Sequence, residues 1–136
     1  MFQDLNIKPE EYFLTGSRAL DTETDKVSED NSDHDYVVLI TNRHIIESYL
    51  SSISISVEHS CYNGGFKFLY KEKYYNIITA VECEFMAWKE ALYILKYLIS
   101  TQDIRYKKAI KNKMSRYCLY EQLRAFVKTF LRLGEL

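Results

Sequence analysis

FLTGSRALDTETDKVSEDNSDHDYVVLI, residues 13–40, is the stretch from which the fold follows. Just ahead of Gly16, residues 11–15 include aromatic and apolar Tyr12, Phe13 and Leu14, which read as a short strand that stops at the glycine. Ser17-Arg18-Ala19-Leu20 then has the look of a helix's first turn, with Ser17 near the N-cap. Residues 21–33 are polar and acidic apart from Val27, which predicts a long surface loop. Residues 34–40 (HDYVVLI) are apolar on both faces after a polar start. That pattern belongs to a strand covered on both sides, central in a sheet.

Outward from this stretch the chain alternates between the two periods. Residues 42–50 set Ile45, Ile46, Tyr49 and Leu50 at helical spacing, with Asn42 as the N-cap. Residues 53–57 (ISISV) alternate as a half-buried strand does. Runs at 66–70 and 74–80 flank Lys71-Glu72-Lys73 and predict a hairpin. Residues 81–86 (VECEFM) read as a continued or restarted strand. From Ala87 the period is helical, with Trp88, Ala91, Leu92, Leu95 and Leu98 on one face. Residues 103–113 form a basic helix candidate. Residues 115–133 form a longer one, with Leu119, Leu123, Phe126, Val127, Phe130 and Leu133 on a stripe ended by Gly134. The expected fold class is α/β (α+β): a mixed sheet with helices packed on it and a helical C-terminal layer. One domain is expected over residues 1–136, with the sheet core in 1–86 and the helical part in 87–136.

A chain of 136 residues suits one compact domain and is short for two. With 47% hydrophobic residues, one Pro and four Gly, it is neither a disordered tail nor a low-complexity linker. No apolar run approaches the roughly 20 residues of a membrane-spanning helix. The start, MFQDLNIKPEE, lacks the basic and apolar regions of a secretory signal. Cys61, Cys83 and Cys118 are odd in number and form no CxxC pair, which argues against a disulfide framework or a zinc site. A reduced, cytoplasmic domain without membrane contact is expected.

The 18 Lys+Arg and 19 Asp+Glu nearly cancel, but they are unevenly spread. Residues 1–36 hold ten acids against three bases, and residues 89–136 eleven bases against four acids. Such a gradient fits a metal-binding edge facing a phosphate-binding face, and equally two halves that attract each other.

Two short motifs carry chemistry. Gly16-Ser17-Arg18 stands where a strand turns into a helix: the glycine admits a close backbone approach, the helix start favours an anion, and Arg18 offers a charged fork suited to phosphate. By itself the pair also fits a bare turn and cap. Asp33-His34-Asp35 opens the central strand, and residues i and i+2 of a strand share a face, so the two carboxylates project together. Neighbouring carboxylates repel unless a cation sits between them, and hard oxygen ligands suit Mg²⁺ or Mn²⁺. A Ser17–His34–Asp35 triad fails, because adjacent strand residues face opposite ways. Lys107, Lys108, Lys111, Lys113 and Arg116, interleaved with Tyr106 and Tyr117, form a basic patch suited to RNA or a triphosphate, or simply a solvated face.

With LTGSRAL and SDHDYVVL in this order, the chain resembles the nucleotidyltransferase superfamily, which includes DNA polymerase beta, the poly(A) polymerases and the minimal nucleotidyltransferases. The GSRA and SDxDY wording is similar to that of a subgroup of small bacteriophage-encoded predicted nucleotidyltransferases, as is NIITAVECEFMAWKEAL. The resemblance implies that Ser17 and the amides around Gly16, with Arg18, hold the phosphates of a nucleoside triphosphate, ATP being the first expectation. It implies that Asp33 and Asp35 bind Mg²⁺ or Mn²⁺. It also implies a third carboxylate on a neighbouring strand, with Glu82 the first candidate and Glu84 its substitute, to bind the metal and help deprotonate the attacking hydroxyl. The implied activity is metal-dependent transfer of a nucleoside monophosphate to a hydroxyl of RNA, protein or a small molecule. A chain this short has little room to recognise its own acceptor, so an oligomer or a protein partner fits the reading. The alternative is a catalytically degenerate relative that binds and neutralises a partner protein. Two features depart from the family pattern: the fifteen residues between Ser17 and Asp33 make a long spacer, and His34 stands where an apolar residue is common.

Overall fold

Val37 and Val38 are chain neighbours, so they leave opposite faces of a strand, and both are shut off from solvent at 1% and 0% exposure. In this computed structural model they lie on β2 (His34–Leu39), inside a five-stranded sheet. The described residues are 1–20, 33–59, 65–101, 105, 110 and 112–134, the side chains of Ser17 and Lys113 excepted. The other strands are β1 (Tyr12–Thr15), β3 (Glu58–His59), β4 (Gly65–Tyr70) and β5 (Lys73–Ala80), in the order β1-β2-β5-β4-β3. Among the described residues β2 and β5 pair in parallel and the other pairs are antiparallel. The described helices are α1 (Gly16–Leu20), α2 (Arg43–Ser52), α3 (Glu82–Thr101) and α4 (Lys113–Gly134), with 3₁₀ turns at Gln3–Leu5, Pro9–Glu11 and Ile40–Asn42. This is a mixed α/β fold.

The chain divides into two compact units: a sheet unit (Met1–Ala19 with Val27–Glu82) and a helical unit (Leu20–Lys26 with Cys83–Leu136). In the sheet unit one face is apolar. Val38, Ile77, Phe66, Phe68 and Tyr70 pack there against Ile46 and Leu50 of α2 and against Phe2 and Ile7. Ile46 and Leu50 are fully buried, each worth roughly 1.5–3 kcal/mol. An aromatic layer adds to this, with Phe68 stacked on Tyr75 at 5.4 Å and Phe2 on Tyr12 at 4.4 Å. The β4–β5 hairpin turns through Lys71 and Glu72, both left-handed (φ 48° and 66°), as two-residue hairpin loops favour.

In the helical unit, Asn112 Oδ1 accepts from the amides of Met114 (2.8 Å) and Ser115 (3.3 Å) and so caps α4. Trp88 of α3 meets Tyr120 of α4 edge-on at 4.8 Å, and the Arg124 guanidinium lies over the Trp88 ring at 5.0 Å. Cys83 and Cys118 are free thiols, and Cys61 lies outside the described residues. Among the described residues no helix is long and apolar enough to cross a membrane.

Four expectations are corrected. Residues 81–86 are not a strand: α3 begins at Glu82, and its buried stripe of Phe85, Leu92 and Leu95 continues the helical period one turn ahead of Ala87. The alternation of Val81, Glu82, Cys83 and Glu84 is too short to outweigh that stripe, and acids in a first turn suit the positive end of a helix. Residues 53–57 are not a strand either, because α2 closes there. Ser54 N–H donates to Ser51 O and Ile55 N–H to Leu50 O (2.9 Å), with Ser54 left-handed at φ 59°. Those two bonds are a Schellman closure, and Ile55 packs back on the core that holds Leu50. Asn42 ends a 3₁₀ turn with helical dihedrals and makes no side-chain cap. On α4, Phe126, Phe130 and Leu133 are exposed at 66%, 68% and 62%, whereas Tyr120 is buried. The inward face turns through Tyr120, Leu123, Arg124 and Val127, leaving Phe126 and Leu133 more than about 100° round the helix and Phe130 at the edge of that face, about 70° round.

Serine in a left-handed closing position costs what glycine does not. Ser54→Gly is expected to raise stability by about 0.5–1 kcal/mol, read as a higher urea midpoint at unchanged slope.

Candidate active site

Gly16 has φ +70°, a conformation that L side chains rarely adopt. A Cβ built there would meet the side chain of Asp35, at 3.0 Å from Cγ and closer still to Oδ2. The sequence suggests a glycine that admits a ligand; in the structure it is the Asp35 carboxylate that takes that space. This contact brings the end of β1 and the start of α1 against the start of β2, nineteen positions further on.

Sheet register then lays a polar row across the second face. Thr15 of β1 pairs with Asp35, Asp35 with Asn76 of β5, Asn76 with Lys67 of β4, and Lys67 with Glu58 of β3. Directly opposed residues share a face, so the row is continuous. Asn76 is 6% exposed, and its Nδ2 donates to Asp35 Oδ1 at 3.0 Å. Asp33, immediately before β2, forms an ion pair with Lys67 (Nζ to Oδ2, 3.4 Å), both side chains half-exposed.

Burial pushes the Asp35 carboxyl above its ordinary 3.8. The Asn76 hydrogen bond pulls it back, the charge of Asp33 adds to the rise, and Lys67 and Arg18 oppose it. Arg18 of α1 therefore acts on the site through its charge. His34 faces the opposite side, with its ring 5.5 Å from that of Tyr75 and its buried Nδ1 without a partner among the described residues. Burial, then the charge of Arg18, lower its pKa. His34 is thus part of the aromatic layer. The backbone of Ser17 opens α1, and its hydroxyl is outside the described groups.

The expected third carboxylate is elsewhere. Parallel pairing sets Asn76 beside Asp35 and Ala80 beside Leu39, so Glu82 follows the far end of β5. Four residues of strand rise separate Asn76 from Ala80, about 13 Å, beyond the reach of a glutamate side chain. Glu84 is committed to α4: Arg124 donates to its Oε2 at 3.1 Å and Lys128 to its Oε1. Burial pushes Glu84 up, but the hydrogen bonds and charges of Lys128 and Arg124 outweigh it and hold the carboxyl below its ordinary value. Of the basic patch, Lys107, Lys108 and Lys111 lie outside the described residues. Arg116 is buried and donates to Ile110 O at 2.6 Å.

Asn76 and Lys67 were missed because nothing local marks them; the cue would have been the offset between β2 and β5. Among the described residues no three His, Cys, Asp or Glu side chains converge as a metal centre. The oxygen donors present are the Asp33 and Asp35 carboxylates and the buried Oδ1 of Asn76, which has no hydrogen-bond partner. Hard donors of this kind fit Mg²⁺ or Mn²⁺.

No protein-family model matches the chain, and no curated protein matches it at a significant level. Among solved structures, that of the antibiotic-resistance factor ANT(2'')-Ia is similar, with a TM-score of 0.40 and 13% identity over 92% of this chain and 85% of that one. A likeness this loose carries no argument about the chemistry of this chain.

A buried charge held above its ordinary pKa takes stability away from the fold once it ionises. The folded state favours the neutral acid, so this stability is full below pH 3.8 and is lost as pH rises through the raised pKa. Asp35→Asn keeps an acceptor for Asn76 without the charge. Thermal melts are expected to show the variant more stable than the parent at pH 7, with the gap closing towards pH 3.

Proposed function

We propose that this chain is a metal-dependent nucleotidyltransferase, moving a nucleoside monophosphate from a nucleoside triphosphate to a hydroxyl and releasing pyrophosphate. The observation that supports it most is the contact of Gly16 with Asp35, which sets the Gly16-Ser17 turn beside the carboxylates of the β2 start. In this reading the amides around Gly16 and the Ser17 hydroxyl hold the terminal phosphates, and Arg18 neutralises their charge. Asp33 and Asp35 would hold Mg²⁺ or Mn²⁺, which when bound withdraws charge from the α-phosphate and orients it. The acceptor oxygen bonds to the α-phosphorus, the bond to the bridging oxygen breaks, and pyrophosphate leaves. The hydroxyl proton passes to solvent through Asp33, the more exposed of the two acids. The acceptor is an RNA end, a protein hydroxyl or a small molecule. ATP is the first donor to try, and a partner protein or a second copy would help recognise the acceptor.

A second reading has an observation of its own. The neighbour of Asp35 on β5 is an amide rather than an acid, and Lys67 already neutralises Asp33. Both features suit a degenerate relative that binds nucleotide or a partner protein without turnover.

Triphosphates labelled at the α-phosphate, incubated with the protein, Mg²⁺ or Mn²⁺ and candidate acceptors, separate the two. Label is expected to move to an acceptor, with at least a hundredfold loss in Asp33→Asn and in Asp35→Asn while both variants melt cooperatively. Triphosphate binding without transfer to any acceptor would favour the binding module, and undiminished transfer in both variants would remove this site from the chemistry.

A further inference from the structure

Asn76 has an unusual combination of properties: it is 94% buried by its 6% exposure, one end of its carboxamide is engaged and the other is not. The Nδ2 end donates to Asp35 Oδ1 at 3.0 Å. An ionised carboxylate only accepts, so this contact sets the orientation of the amide and leaves Oδ1 as the free end. Oδ1 is buried without a hydrogen-bond partner among the described residues. Leaving such an acceptor unpaired is costly, and a cation would satisfy it.

We propose that Asn76 is a metal ligand, supplying through Oδ1 the neutral third oxygen beside Asp33 and Asp35, in place of the carboxylate expected at Glu82. The inference rests on the nucleotidyltransferase reading and deepens its metal site. Register places Asn76 between Asp35 and Lys67, so it is the β5 residue nearest the acidic pair across the sheet. Side-chain amide carbonyls are ordinary ligands for hard cations, alongside carboxylates and water. Two carboxylates and one amide bring a charge of −2 to a divalent ion, against −3 for three acids, so the site binds metal more weakly than a three-acid site and depends more on the triphosphate to complete it. Lys67, 3.4 Å from Asp33 and half-exposed, is a counter-ion that a divalent cation can displace.

The test is Mn²⁺ binding to the intact chain, followed by electron paramagnetic resonance with the metal alone and then with a non-hydrolysable triphosphate. Protein labelled with ¹³C at the asparagine Cγ is expected to show a ¹³C coupling at bound manganese, absent in Asn76→Ala. Asn76→Ala is expected to weaken Mn²⁺ binding at least tenfold, and Asn76→Asp to tighten it by a similar factor. A residue that only orients Asp35 would give no coupling, and Asn76→Asp would weaken binding by repelling Asp35; either result overturns the proposal. Should Asn76→Ala fail to fold, the labelled parent and Asn76→Asp still decide. Loss of binding in Asp35→Asn with none in Asn76→Ala refutes the ligand while leaving the acidic pair in place. Absence of Mn²⁺ binding to the parent, with triphosphate present, overturns the metal reading of the site as well.

Discussion

The contact between the Gly16 backbone and the Asp35 carboxylate is the constraint on which the rest of the site depends. It requires a residue without Cβ at the strand-to-helix junction, and it requires the left-handed φ that glycine alone adopts at low cost. Once made, it ties β1, α1 and β2 together at one end of the sheet. A carboxylate held this way is largely desolvated and cannot relax into water, which is why its pKa is raised although three polar neighbours favour its charge. The same restraint that costs stability keeps the oxygens in one place, as an oriented ligand needs.

From Asp35 the order passes sideways through the sheet. Asn76 fixes one oxygen, Lys67 balances Asp33, and Arg18 adds a positive field from α1. The opposite face of the same strands is apolar and aromatic, with Val38, Ile77 and Phe66 fully buried beneath α2. One sheet thus joins an apolar face that supplies stability to a second face where a polar row, beside the buried Val37, spends some of it. The helical unit is organised by its own ion cluster, in which Glu84 joins Arg124 and Lys128, with Arg124 also over Trp88.

Features that rest on contiguous residues were legible in the sequence. β2 was visible because four apolar residues in a row fit a strand covered on both sides, and the β4–β5 hairpin because two runs flank a short charged turn. The acidic pair and the glycine turn could be read as motifs. Errors arose where two periods fitted the same few residues, as at Val81–Phe85, or where a helix closed on a serine instead of a glycine, as at Ser54. Asn76 and Lys67 could not be found because their place depends on the register of a parallel pair forty-one residues apart, which no local pattern encodes. The choice of Glu82 failed for the same reason: its distance from Asp35 is set by that register, not by its spacing from the helix that follows.

Gly16 and Asp35 act as one unit, and a double-mutant cycle measures their coupling. Denaturant unfolding of the parent, Gly16→Ala, Asp35→Ala and the double variant gives the coupling between the two positions. The left-handed strain of alanine at position 16, about 1–2 kcal/mol, is common to both backgrounds, whereas the clash with the carboxylate exists only when Asp35 is present. Gly16→Ala is expected to cost at least about 1 kcal/mol more with Asp35 in place than without it. Costs that agree between the two backgrounds within about 0.3–0.5 kcal/mol would contradict it.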